Sequence, residues 1–168
     1  MSRVSRHVVV LSLTLVLLVV AATALAAKTT PKDGRFGGHT SQGSQSPTPA
    51  YFTVSRSGRA VTLEITSLGL ACEVNGSPGF PIGVALSSKN LKPTGKAEPL
   101  AIVNGKFSYN GPIYNVLSIT GKGRISGNFK SPTKIVGSAR FSWASSDLGP
   151  GLEGPCDSGK LTFSATHE

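Results

Sequence analysis

The chain is short of charge, and of acid above all. Only 15% of its 168 residues are charged, against about 25% in ordinary soluble domains, and 8 Asp and Glu stand against 17 Lys and Arg. Beyond residue 27 the carboxylates are Asp33, Asp147 and Asp157 with Glu64, Glu73, Glu98, Glu153 and Glu168. A glycoside hydrolase needs two carboxylates about 5–10 Å apart across a cleft. Only Glu64 and Glu73 fall on expected strands, and Glu64 alternates with apolar residues, so it should face solvent. The sequence also lacks a G-x-S-x-G elbow, an H-E-x-x-H pair and a phosphate loop. His39 and His167 sit in terminal segments, which leaves a nucleophile without a base. The two cysteines have no partner at C-x-x-C or C-x-x-H spacing, which argues against a metal. No window outside the N-terminus repeats Ala, Leu, Glu or Lys at helical spacing, so a helix bundle is excluded. The expectation is a chain with no catalytic set, no cofactor and no metal.

What is present begins with a leader. Arg3 and Arg6 precede an apolar run from Val8 to Val20, and Ala24-Leu25-Ala26 follows. A basic start, a short apolar run and an A-x-A site make a secretory signal peptide over 1–27, cleaved after Ala26 or Ala27. The alternative is an uncleaved anchor, since the apolar stretch from Val8 to Ala27 has 20 residues and could cross a bilayer. Cleavage would leave a secreted or cell-envelope chain of net charge about +7 with no membrane span. Cys72 and Cys156 are the only cysteines. In an oxidising compartment two cysteines allow one pairing, so a Cys72–Cys156 disulfide is expected.

The segment 28–35 has almost nothing to bury and reads as a flexible tail. Phe36 to Gly43 could lie along a sheet edge. From Tyr51 onward, apolar residues alternate with polar ones between turn residues, the pattern of strands. Val61, Leu63 and Ile65 share one parity, and Leu68, Leu70 and Cys72 the other, which places a bulge near Ser67 to Gly69. Leu100 to Val103 and Lys106 to Tyr109 flank Asn104-Gly105, a hairpin turn in which both residues tolerate positive φ. Strands are also expected over Gly79 to Ser87, Pro112 to Thr120 and Gly159 to Thr166. Gly121-Lys122-Gly123 should end one strand, and Asp147 to Gly154 should be a loop. About nine strands with short connections give an all-β fold: an antiparallel β-sandwich or jelly-roll-like domain over 36–168, with one disulfide.

Several phrases stand in order along the chain: Gly38-His39-Thr40-Ser41-Gln42-Gly43, Cys72, Asn104-Gly105-Lys106-Phe107-Ser108, Ile125-Ser126-Gly127-Asn128-Phe129, Val136-Gly137-Ser138-Ala139-Arg140 and Cys156-Asp157-Ser158-Gly159. This order resembles a group of small secreted proteins of soil actinobacteria, across about Gly37 to Ala165. The resemblance implies a secreted β-sandwich with a Cys72–Cys156 bridge. It implies no activity.

The second expected hairpin pairs Arg124–Lys130 with Lys134–Ser145 around Ser131-Pro132-Thr133. Ile125, Gly127, Phe129, Ile135, Ala139, Phe141 and Trp143 should face the core. The opposite parity sets Arg124 against Arg140, Ser126 against Ser138, Asn128 against Val136 and Lys130 against Lys134. Like charges directly opposed weaken a ladder, so Arg124, Ser126, Asn128, Lys130, Lys134, Ser138 and Arg140 form a candidate anion-binding face. The alternative is ordinary solvated charge. Tyr51, Tyr109, Tyr114 and Trp143 could line a sugar-binding face, though the parity of Trp143 favours the core. Asn75-Gly76-Ser77 matches a glycosylation acceptor and also reads as a turn. The function expected is a secreted, non-enzymatic module for an anionic cell-wall polymer or glycan. Its rivals are a structural or protein-interaction domain and a secreted enzyme with an unrecognised site. Nucleic acid fits the charge but neither the compartment nor any motif.

Overall fold

The computed structural model describes residues 29–42, 47–74, 77–78, 82–114, 120–144 and 155–168. The expected leader, the turn at Asn75-Gly76 and the loop over 147–154 lie outside them. Among the described residues no helix is long and apolar enough to cross a membrane.

Alternating apolar residues generate eleven described strands: β1 (Gly34–Thr40), β2 (Pro49–Val54), β3 (Ala60–Val74), β4 (Ser77–Pro78), β5 (Ile82–Ser87), β6 (Leu100–Ala101), β7 (Lys106–Tyr114), β8 (Thr120–Ser131), β9 (Lys134–Trp143), β10 (Cys156–Asp157) and β11 (Leu161–His167). A 3-10 turn over Ser88–Leu91, capped by the Ser87 hydroxyl, separates β5 from β6. Pairing runs β3-β2-β1-β11-β9, and β10 then pairs with both β9 and β3. Six strands therefore close into a barrel. β8 and β7 extend the sheet beyond β9, and β4, β5 and β6 add to β3.

The all-β class and the Cys72–Cys156 disulfide stand as expected, and the closed barrel corrects the expected sandwich. Half-buried strands alternate identically in a sandwich and in a barrel, so periodicity does not separate the two. Closure here depends on β10, whose Cys156 lies opposite both Cys72 and Trp143. A strand of two residues has no period to read.

The parity switch in β3 is real: Val61, Leu63, Ile65, Leu68, Leu70 and Cys72 are all buried, and the β3–β5 register shifts between Ile65 and Leu68. Asn104 and Gly105 form the tight turn at φ 52° and 71°, with Val103 and Lys106 exchanging both backbone hydrogen bonds. The expected ladder stops there, because β6 leaves to pair with Ala60 and Val61. Two expected breaks are absent. β7 runs through Asn110-Gly111, and β8 runs through Gly121-Lys122-Gly123. Each glycine admits a neighbour at close range: a Cβ on Gly123 would lie 2.5 Å from Ile113 Cδ1, and one on Gly121 would lie 2.6 Å from Trp143 Nε1.

The expected tail ends early, because Gly34 and Arg35 already belong to β1 and the Lys32 amide donates to the Pro132 carbonyl. β1 is not an edge. It lies between β2 and β11. The motif that follows β1 has a structural role. Ser41 Oγ accepts from the Thr162 amide. The Gln42 side-chain amide accepts from the Gly69 N–H at 2.8 Å and donates to the carbonyls of Gly69 (2.6 Å) and Ser158 (3.0 Å). Gln42 thus acts as a substitute strand segment beside the β3 bulge, serving backbone groups the ladder leaves unpaired. The core holds Phe36, Phe52, Phe107, Phe129 and Phe163, with ring centroids 4.9 to 6.2 Å apart in successive contacts.

Candidate functional site

β8 and β9 place the expected face largely as read. Arg124 lies opposite Arg140, Ser126 opposite Ser138 and Asn128 opposite Val136. Ile125, Phe129, Ile135, Ala139, Phe141 and Trp143 are buried behind them. The expected Lys130–Lys134 pair is not formed. The register shifts between Phe129 and Ser131, so Ser131 faces Lys134 and the loop shrinks to Pro132-Thr133. The Ser131 hydroxyl, which accepts from the Thr133 amide, holds this bulged turn.

Arg140 is not free for a ligand. Its Nε donates to both Asp157 carboxylate oxygens at 3.1 Å and its Nη2 to one of them at 2.8 Å. The repulsion expected across from Arg124 is relieved from the neighbouring strand, because β10 sets Asp157 beside β9. Hydrogen bonding from Arg140 pulls the Asp157 carboxyl below its usual pKa against an opposing effect of burial, with a further contribution from the Gly159 amide. A depressed carboxylate pKa stabilises the fold above the unfolded-state value, and the contribution is lost as pH falls through the folded-state value. Wild-type protein should therefore lose more stability than Asp157→Asn between pH 7 and pH 3. Urea midpoints at the two pH values measure this, and equal losses would contradict it.

Two strands the sequence did not assign to this face complete it. β7 sets Ser108 opposite Ser126 and Lys106 opposite Asn128. β11 sets Thr162 opposite Ser138. Ser108, Ser126, Ser138 and Thr162 thus form one row of hydroxyls across four strands. Ser126 Oγ and Ser138 Oγ are 3.3 Å apart. The row lies in a groove of about 910 Å³, whose lining also includes Val103, Lys106, Asn128, Lys130, Val136 and Lys160. Gly127 and Gly137 face each other in its floor. Behind them a Cβ on Gly127 would come within 2.1 Å of Phe107 Cζ, and one on Gly137 within 2.2 Å of Phe163 Cζ. Two core rings therefore support the floor from inside. The sequence signal for β7 was the alternation Lys106-Phe107-Ser108, but the glycine at 111 concealed that this strand continues along β8.

The described ion pairs are Arg35–Glu168, Lys92–Glu98 and Arg140–Asp157. Among the described residues Lys106, Lys122, Arg124, Lys130, Lys134 and Lys160 join no ion pair, and neither do Lys32, Arg56, Arg59, Lys89 and Lys96 elsewhere on the surface. Lys122, Arg124 and Lys130 lie along β8 with Lys106 and Lys134 on its neighbours, and Lys160 lies just before β11.

The aromatic residues do not converge. Trp143 is 4% exposed and belongs to the core. Tyr51 lies on β2 beneath the Arg35 guanidinium, 4.2 Å from its ring centre. Tyr109 is half-buried and donates to the Pro112 carbonyl. Glu64 and His39 are exposed. Among the described residues no group of three or more His, Cys, Asp or Glu could hold a metal.

Fold and site together define a disulfide-closed β-barrel with an open, hydroxyl-lined groove edged by Lys106, Lys130 and Lys160. No protein-family model, curated protein or solved structure matches the chain.

Proposed function

We propose that this protein is a secreted or cell-envelope, non-enzymatic module that holds an anionic cell-wall polymer or glycan in the groove across β7, β8, β9 and β11. One observation carries the reading: Lys106, Lys130 and Lys160, which join no ion pair among the described residues, line a groove of about 910 Å³ together with a row of hydroxyls. The groove offers cations and hydroxyls, which suits retention of a ligand more than its cleavage. The Cys72–Cys156 bridge supports an oxidising compartment, as does the leader-like N-terminus. The anion contact shifts along the face from the Arg124–Arg140 pair to Lys106, Lys130 and Lys160, since Arg140 is already engaged.

The test is retention of the purified protein on an immobilised teichoic-acid-type polymer as salt is raised. Exposed pairs are screened within about 8 Å at physiological ionic strength, so retention should fall steeply with salt. Replacing Lys106, Lys130 and Lys160 together by Gln should weaken binding roughly tenfold, at a few tenths to about 1 kcal/mol for each exposed charge. Retention indifferent to salt and to these substitutions would exclude the groove as a polyanion site and favour a structural or protein-interaction role.

A further inference from the structure

We infer that the groove selects a polyhydroxylated polyanion, a sugar or polyol chain bearing carboxylate or phosphate groups, over a polymer that carries charge alone. The inference rests on the anionic-polymer reading and adds to it a second recognition element. Adjacent strands in a sheet are about 4.8 Å apart. Ser108, Ser126, Ser138 and Thr162, one on each of four neighbouring strands, therefore repeat hydroxyls at a step comparable with one sugar ring. Each hydroxyl can donate one hydrogen bond and accept two. The mutual contact of Ser126 and Ser138 uses one donor and one acceptor, which leaves both kinds of group on the row. A sugar hydroxyl, itself donor and acceptor, can use both, whereas a phosphate diester only accepts.

The walls point the same way. Val103 is 64% exposed, held out by the Asn104-Gly105 turn, and it lines the groove together with half-buried Val136. Apolar surface here serves the C–H faces of a sugar or polyol and has nothing to offer a bare polyphosphate. Asn128, half-buried beside Lys106, adds an amide that both donates and accepts. Lys106 and Lys130 at one end of the groove and Lys160 at the other take the anionic groups, so the chain lies across the strands, along the hydroxyl row.

The experiment compares four polymers by titration calorimetry at one ionic strength: polygalacturonate, poly(glycerol phosphate), polyphosphate matched in charge number, and neutral dextran. At least one of the first two should bind about fivefold or more tighter than polyphosphate, the worth of about one net hydrogen bond. Ser126→Val with Ser138→Val should remove that preference and leave polyphosphate affinity within about twofold. Valine suits exposed strand positions, so folding should be retained. Val103→Ser, a change on an exposed turn, should lower only the binding of the carbon-based polymers and serves as the second variant. Equal affinity for polyphosphate and for both hydroxylated polyanions, unaltered by the substitutions, would overturn the inference and leave the anionic-polymer reading standing. Binding of none of the three polyanions would overturn both, as would dextran binding as tightly as any of them.

Discussion

Replacing Cys72 and Cys156 together by alanine should lower the unfolding free energy by about 2–4.6 kcal/mol, the upper figure being the chain-entropy value for a loop of this length. The bridge spans a sequence separation of 84 and joins β10 to β3, where it closes the barrel. β10 has only two residues, so few ladder hydrogen bonds replace the covalent link. Trp143 is the only tryptophan and lies directly opposite Cys156 on β9. Its emission should therefore report the change, rising on reduction as a neighbouring disulfide quencher is lost and shifting red if β10 detaches. Denaturant midpoints of oxidised, reduced and doubly substituted protein measure the energy. Identical midpoints for all three would mean that the arms of the barrel close without the bridge.

A comparable loss is expected from adding a single methyl group in the right place. A Cβ on Gly38 would lie 1.9 Å from the Ser164 carbonyl oxygen. One on Gly137 would lie 2.2 Å from both the Ser126 carbonyl oxygen and Phe163 Cζ. Backbone cannot rotate away as a flexible side chain can, so Gly38→Ala and Gly137→Ala should each cost about 1–3 kcal/mol or more. Gly83→Ala is the control. Among the described residues its Cβ would meet only Ser67 Oγ, at an ordinary 3.5 Å, and the change should stay within about 1 kcal/mol of neutral. Thermal melts of the three variants decide this. A Gly137→Ala protein as stable as Gly83→Ala would show that β8 and β9 pack less closely over the core rings than the distances require.

Much of the fold could be read from parity. The burial of Ile125, Phe129, Ile135, Phe141 and Trp143 followed from alternation, as did the bulge in β3 and the opposition of Arg124 to Arg140. Errors arose where glycine stood inside a strand. Gly111, Gly121 and Gly123 read as breaks, yet each leaves room for a neighbouring side chain to pack against a continuous strand. Closure was hidden for another reason, since β10 is too short to have a period. The site was half legible. Ser126, Asn128, Ser138 and the lysines of β8 and β9 were visible in one hairpin, whereas Ser108 and Thr162 join them only through strand neighbours that no local pattern specifies. The engagement of Arg140 by Asp157 is likewise a contact between distant strands, and it removes one of the two arginines from the site first expected.

The most direct test of the groove is a map of where a polyanion binds. Backbone amide resonances of the 15N-labelled protein are followed as polygalacturonate or poly(glycerol phosphate) is added. The account predicts that shifts concentrate at Lys106, Ser108, Ser126, Asn128, Ser138, Lys160 and Thr162, diminish with salt, and spare Tyr51 and Glu64 on β2 and β3. Shifts centred on Tyr51, Arg35 and Glu64, or no shifts at low salt with either polymer, would contradict it.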